Sequence, residues 1–199
     1  YYHPMRITRY LTVKPSWNDY QASQPDEKVI SLDPGRAFGT GTHPTTRLCL
    51  QAMEMIMRGN ETVYDVGTGS GVLSIAAKLL GAAKVEAFDV DDDAIAAAQE
   101  NFDLNPIAKS IAARPNDLLE GIKQPVDLIV ANILSDVLVP MIPQAKSLLN
   151  KNGRLVMSGI IDDKLPLIQK TLAANDFKVN QVLTYGEWRG VIASHQLEE

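Results

Sequence analysis

One stretch limits what this chain can fold into more than any other. Val63–Ala77 reads VYDVGTGSGVLSIAA. The short apolar run Thr62–Val66 breaks into Gly67-Thr68-Gly69-Ser70-Gly71. Val72, Leu73, Ile75, Ala76, Leu79 and Leu80 then recur at helical spacing. Strand, glycine turn and helix, in that order, is the first turn of a nucleotide-binding α/β unit. Glycine lets the backbone pass close under a ligand, and the N-terminus of the following helix is expected to offer unpaired N–H groups.

The pattern after this unit alternates. Lys84–Asp89 reads as a strand, Asp91–Asn101 as a helix capped by its aspartates, and Ser110–Ala113 as a short strand. Val126–Ala131 has the continuous apolar character of a sheet centre. Ile133–Leu149 reads as a helix, with Pro140 and Pro143 expected at its ends or at a kink. Gly153–Gly159 reads as a strand and Asp162–Asn175 as a helix. Phe177–Leu183 and Val191–Gln196 are strands with no helix between them, the mark of a terminal antiparallel hairpin. The expected fold is α/β, a mainly parallel sheet with helices on both faces.

Upstream, residues 1–27 are aromatic, polar and turn-rich and read as a linker and cover segment. Within them Ile7–Lys14 is a candidate edge strand, and Val29–Leu32 follows as a second. Asp33–Thr42, DPGRAFGTGT, places three glycines in one short loop. Thr42 is the expected cap of an amphipathic helix over roughly 43–58, with Pro44 in its first turn.

Composition narrows the function classes. At 199 residues and 45% hydrophobic, the chain can bury one sizeable core. A net charge of −5 argues against a protein that grips a bare phosphate backbone, and no direct nucleic-acid binding is expected. Cys49 is the only cysteine, so an intrachain disulfide and a Cys-rich zinc site are both excluded. No metal constellation is visible, and no apolar run approaches the length of a membrane span. A reducing, cytoplasmic setting is the expectation.

The glycine turn admits more than one nucleotide. A nicotinamide dehydrogenase carries G-x-G-x-x-G/A. Here the spacing is Gly67-x-Gly69-x-Gly71, with Asp65 on the preceding strand. Asp89 ends the next strand about twenty residues past the glycines, where an acidic side chain reaches ribose hydroxyls. D-x-G-x-G-x-G, Asp89 and the terminal hairpin together resemble the class I S-adenosylmethionine-dependent methyltransferases, a Rossmann-like fold with a seven-stranded sheet. Asn116 and Asp117 follow the third strand and read equally as adenine contacts or as a cap before Leu118–Ile122. Asn132 ends the fourth strand in Val130-Ala131-Asn132-Ile133-Leu134, at the edge that faces the ligand crevice. The two prolines and the aromatic that often follow this position in nitrogen methyltransferases are absent, which leaves room for an aliphatic amine.

Asp33–Arg47, Val63–Gly71 and Val130–Leu134, with His3-Pro4-Met5-Arg6 and Pro15-Ser16-Trp17 upstream, closely resemble the ribosomal protein L-eleven methyltransferases. The resemblance implies transfer of methyl groups from S-adenosylmethionine to lysine and α-amino groups of a large-subunit ribosomal protein. It implies that Thr46, Gly67, Asp89 and Asn132 contact the cofactor or line its pocket, together with the Asp65, Gly69 and Gly71 of the motif. It implies that the Phe38–Thr42 loop folds over the methionine end. It also implies an N-terminal recognition domain that this sequence lacks. Asn132 is the expected catalytic group: its side-chain oxygen would accept a hydrogen bond from the amine and aim the lone pair at the methyl. His43 is expected to be structural rather than a base. The alternatives are an S-adenosylmethionine-dependent enzyme acting on another amine or on RNA, and a non-catalytic cofactor-binding module.

Overall fold

The structure, a computed structural model, describes residues 3–33 and 42–197. Residues 34–41, and with them most of the glycine-rich Asp33–Thr42 loop, lie outside the described residues.

Seven strands form the main sheet. In chain order they are β4 (Thr62–Val66), β5 (Lys84–Asp89), β6 (Ala112–Pro115), β7 (Val126–Asn132), β8 (Leu149–Ile161), β9 (Phe177–Tyr185) and β10 (Trp188–His195). Their spatial order is β6-β5-β4-β7-β8-β10-β9. The pairs from β6 through β8 are parallel, and β10 lies antiparallel between β8 and β9. The order reverses between β4 and β7, and ligands of such sheets bind at the strand C-termini beside that switch point. The sheet is thus mainly parallel with one antiparallel strand from the terminal hairpin, as the sequence pattern requires.

The period-2 alternation of each strand sorts the core into two layers. Val63, Val130, Val156 and Ile192 face α1 (Pro44–Ile56) and α2 (Val72–Leu79). Tyr64, Val66, Ile129, Leu155 and Met157 face α4 (Ser135–Leu148) and α5 (Leu165–Ala174). α3 (Asp92–Asp103) adds Ala98 and Phe102 to the first layer. Each such buried Val, Leu, Ile, Phe or Met contributes about 1.5–3 kcal/mol against leaving it in water.

The first layer extends into a second, small sheet of β1 (Met5–Arg6), β2 (Leu11–Pro15) and β3 (Lys28–Leu32). β2 runs parallel to β3, and Leu11, Val13, Ile30 and Leu32 are buried in the same cluster as α1 and α2. Residues 3–27 thus supply β1 and β2 to this small sheet. Glu27 organises the intervening loop. Its carboxylate accepts from the Thr12 hydroxyl at 2.6 Å, the Tyr20 hydroxyl at 2.7 Å and the Ser23 amide at 2.7 Å. These bonds, Thr12's foremost, hold the Glu27 carboxyl down at about 2 against the desolvation that raises it.

Four local expectations differ from the structure. Ile7–Lys14 is not an edge strand: residues 7–10 are irregular, and β2 is the central strand of the small sheet. The cap of α1 is His43 and not Thr42: the His43 Nδ1 accepts from the Thr45 amide at 3.2 Å. Leu118–Ile122 forms turns instead of a helix, with Leu118 at φ +50°. Pro140 and Pro143 both lie inside α4. Both prolines are exposed, so the carbonyls they leave without a partner can bond water, while Leu138, Met141, Ile142 and Ala145 bury the opposite face.

Candidate active site

The glycine turn hangs between β4 and α2 and is held by its own amides. Gly67 and Thr68 N–H both donate to the Phe88 carbonyl, at 2.9 and 2.8 Å. Gly69 N–H donates to the Asp89 carboxylate at 2.9 Å. Gly71 N–H donates to the Thr68 carbonyl at 2.9 Å, and Val72 N–H to the Ser70 hydroxyl at 3.3 Å. The amides of Gly67, Thr68, Gly69, Gly71 and Val72 are therefore already paired and are not free donors. A pyrophosphate needs such donors. A turn whose amides are spent, flanked by two carboxylates, suits a cationic ligand instead.

Asp89 stands at the end of β5. Its Oδ2 accepts from Gly69 and its Oδ1 from the Asp91 amide at 3.0 Å, leaving each oxygen capacity for a further donor such as a hydroxyl. Asp65 lies deeper, with no exposed surface. Its Oδ2 accepts from the Thr68 and Ser74 hydroxyls, each at 2.7 Å, while its Oδ1 has no partner among the described residues. Burial pushes the Asp65 carboxyl up to about 6. The Ser74 and Thr68 bonds work in the other direction, and Asp89 adds to the rise.

A cavity of about 490 Å³ opens beside this turn. Gly67, Gly69, Asp89, Asn116, Asp117 and Asn132 line it, with Val90, Ile133 and Val137 as apolar walls. A second cavity, of about 520 Å³, adjoins it and is largely apolar. Its walls include His43, Leu134, Gly159 and Trp188. Asn132, Ile133 and Val137 belong to both.

Asn132 reaches this shared wall because β7 ends there. Its Nδ2 donates to the Thr46 hydroxyl at 3.2 Å, which turns its Oδ1 away from α1. Gly159 packs against the same exit: a Cβ there would lie 2.4 Å from the Ile133 carbonyl and 3.3 Å from Asn132 Oδ1. Trp188 opens β10, with its ring 5.8 Å from that of His43 in an edge-on arrangement. Arg189 steadies the hairpin by donating to the Gly186 carbonyl at 2.8 Å and pairing with Asp162 at 3.0 Å.

The residues singled out by sequence thus fall into three positions. Gly67, Gly69, Asp89 and Asn132 line the first cavity. Asp65 and Thr46 are fully buried behind it. Gly71, at φ +86°, packs where a Cβ would lie 2.6 Å from the Phe102 ring. Asn116 donates to the Leu118 and Glu120 carbonyls, so it braces a turn and does not cap a helix. His43 spends its Nδ1 on the α1 cap and forms a cavity wall. Phe38 lies outside the described residues. Sequence reasoning missed Trp188, hidden in a stretch that reads as a plain turn. Its one available signal was a large aromatic in a polar hairpin.

A third cavity, of about 550 Å³, lies at the opposite end of the sheet, lined by Asn60, Asp127, Asn152 and Arg154 among others. It contains none of the motif residues. Among the described residues no cluster of side chains could hold a metal ion.

A family model described as ribosomal protein L11 methyltransferase (PrmA) matches residues 1–196. A ribosomal protein L11 methyltransferase of Pediococcus pentosaceus is 77% identical over 199 residues, all of this chain and 63% of that protein. The Enterococcus faecalis protein of the same name is 55% identical over the same span. The chain thus spans about 63% of the length of these relatives. Among solved structures, ribosomal protein L11 methylase from Lactobacillus delbrueckii subsp. bulgaricus has a TM-score of 0.93 and 43% identity, over 98% of this chain and 100% of that one. A methyltransferase from Pyrococcus furiosus, 19% identical with a TM-score of 0.69 over 84% of this chain and 88% of that one, shares the fold. On a family match over nearly its whole length and a close solved relative at 43% identity, this chain belongs to the ribosomal protein L11 methyltransferase family.

Proposed function

We propose that this chain is the catalytic region of an enzyme that transfers methyl groups from S-adenosylmethionine to lysine and α-amino groups of ribosomal protein L11. The observation that carries the reading is Asn132 on the wall shared by two cavities, one flanked by the Asp89 carboxylate, the other almost wholly apolar. S-adenosylmethionine, when bound, supplies an electrophilic methyl on a cationic sulfur.

The donor set fits that cofactor. Asp89 offers two acceptor oxygens for ribose hydroxyls, and the unpartnered Asp65 oxygen favours positive charge nearby. The spent amides of the turn disfavour a dinucleotide. On the other side, Trp188, Leu134 and Ile133 form walls suited to the aliphatic stem of a lysine. A free lysine titrates at about 10.4, and an apolar enclosure lowers that value by disfavouring the charged form. Asn132 Oδ1 then accepts one N–H of the neutral amine and directs its lone pair. Being uncharged, Asn132 does not hold the ammonium form as a carboxylate would. Alignment across the shared wall supplies most of the rate. No His or Glu is assigned as a dedicated base. A reducing cytoplasmic setting remains part of the proposal, and no described helix is long and apolar enough to cross a membrane.

The test is transfer of labelled methyl from S-adenosylmethionine to purified L11, with the full-length protein alongside this chain. Label on L11 amino groups supports the reading. Label on RNA, or cofactor binding without transfer by the full-length protein, overturns it in favour of a nucleic-acid enzyme or a binding module.

A further inference from the structure

Two buried asparagines mark the end of α3, Asn101 within the helix and Asn105 just past its C-terminus, at 2% and 4% exposure. Asparagine is a poor helix former, and burying its amide is costly unless every polar atom is paired. Asn101 lies on an otherwise alanine-rich face (Ala94, Ala97, Ala98), and both side-chain amides are paired; apart from a bond from Asn105 Nδ2 to the Asn101 carbonyl at 2.7 Å, their partners lie outside α3. Asn105 grips β3: its Oδ1 accepts from the Ser31 amide at 2.9 Å and its Nδ2 donates to the Ser31 carbonyl at 2.8 Å. Asn101 bridges two segments. Its Oδ1 accepts from the Asp33 amide at 2.9 Å, where β3 exits, and its Nδ2 donates to the Ser70 carbonyl at 2.8 Å, inside the glycine turn. An amide N–H on one side and a carbonyl on the other fix which way the Asn101 side chain points.

The Ser70 bond matters to the turn because the amides around it are already committed to internal partners. With its carbonyl drawn onto Asn101, the Ser70–Gly71 peptide cannot rotate without losing a buried bond. Phe102, the next residue on α3, closes the other side of Gly71. We infer that Asn101 is a positioning residue for the cofactor: it locks the glycine turn to the β3 exit, so cofactor affinity depends on a side chain that does not line the cavity. The inference rests on the cofactor reading given above.

Titration calorimetry with S-adenosylhomocysteine tests it on the wild type, Asn101→Ala and Asn105→Ala. Asn105→Ala removes the grip on Ser31 and the bond to the Asn101 carbonyl but keeps the Asn101 side chain on Ser70, so it reports the structural cost of loosening this end of α3. Asn101→Ala is expected to weaken binding about tenfold, as fits a carbonyl left without its buried donor. Asn105→Ala is expected to stay within about twofold while its Tm falls comparably. Equal weakening in both variants, or none in Asn101→Ala, overturns the inference. Should Asn101→Ala fail to fold, hydrogen exchange on the wild type decides. Saturating S-adenosylhomocysteine should slow exchange of the Asp33 amide, since coupling between two sites is reciprocal. An Asp33 amide indifferent to the ligand overturns the inference. A wild type that binds no S-adenosylhomocysteine refutes the cofactor reading itself, and the inference falls with it.

Discussion

At the scale of single residues, the site works by contrast between neighbouring side chains. Asn132 is neutral and faces both cavities, and Asp65 is ionisable and fully buried behind one of them. Asn132→Ala should lower kcat by about a hundredfold or more while leaving Tm nearly unchanged, because alignment is lost and the core is not. Steady-state kinetics with L11 as acceptor reads the first and calorimetry the second. Asp65 has the opposite signature. Its folded pKa of about 6 lies above the ordinary 3.8, so the native state binds the proton more tightly than the unfolded chain. Its favourable contribution is complete below pH ~4 and is lost as pH rises through 6. Asp65→Asn should therefore raise Tm at pH 7.5, with the gain shrinking toward pH 4, and should weaken binding of the cationic cofactor. A gain over the wild type no larger at pH 7.5 than at pH 4 would contradict this assignment of charge.

At the scale of elements, the exits of β7 and β8 decide the geometry of the shared wall. Gly159 adopts φ +85°, and an added Cβ would lie 2.4 Å from the backbone carbonyl of Ile133. Gly186 in the β9–β10 turn is also left-handed, at φ +58°, but has nothing within 4 Å. Gly186→Ala should cost only the conformational strain of about 1–2 kcal/mol. Gly159→Ala adds a backbone collision at the residue that follows Asn132, and should cost about 2–4 kcal/mol and most of the activity. Denaturant midpoints and turnover of the two variants, measured side by side, separate strain from collision. The exposed prolines of α4 make a milder case: Pro140→Ala restores a missing backbone donor and should raise Tm.

At the scale of the whole molecule, the small β1–β3 sheet and the main sheet share one core layer, so the stability of either is felt by both. Glu27 is the ionisable tie in the small sheet. Its folded pKa of about 2 lies below the ordinary 4.5, so its contribution is present above pH ~4.5 and is lost as pH falls toward 2. Glu27→Gln should lose about 1–3 kcal/mol at pH 7, and its stability should fall less steeply than that of the wild type between pH 4.5 and 2. Parallel acid-denaturation curves for the two proteins make the comparison. The same sheet explains why an N-terminal stretch rich in turns reads as a mere cover. Among the described residues β2 pairs only with β1 and β3, and its burial depends on helices further along the chain.

What the sequence determined alone is whatever is local in the chain. The glycine spacing, the carboxylates at Asp65 and Asp89, and the alternation of apolar runs are written at short range, and they suffice for the α/β class, the terminal hairpin and the motif. The place of Asn132 at the end of β7 was legible for the same reason, since a strand end is a local event with a known place in such sheets. The tertiary structure alone decided which of these residues meet. It put Asp65 and Thr46 behind the cavity instead of on its wall, spent the amides of the glycine turn on Phe88 and Asp89, and brought Trp188 beside Asn132 across more than fifty residues of chain. It also converted one unpromising helix asparagine, Asn101, into a bridge between the β3 exit and the glycine turn. The physical reason is that hydrogen-bond satisfaction and burial are properties of pairs brought together by packing, and periodicity along one segment carries no record of its partner.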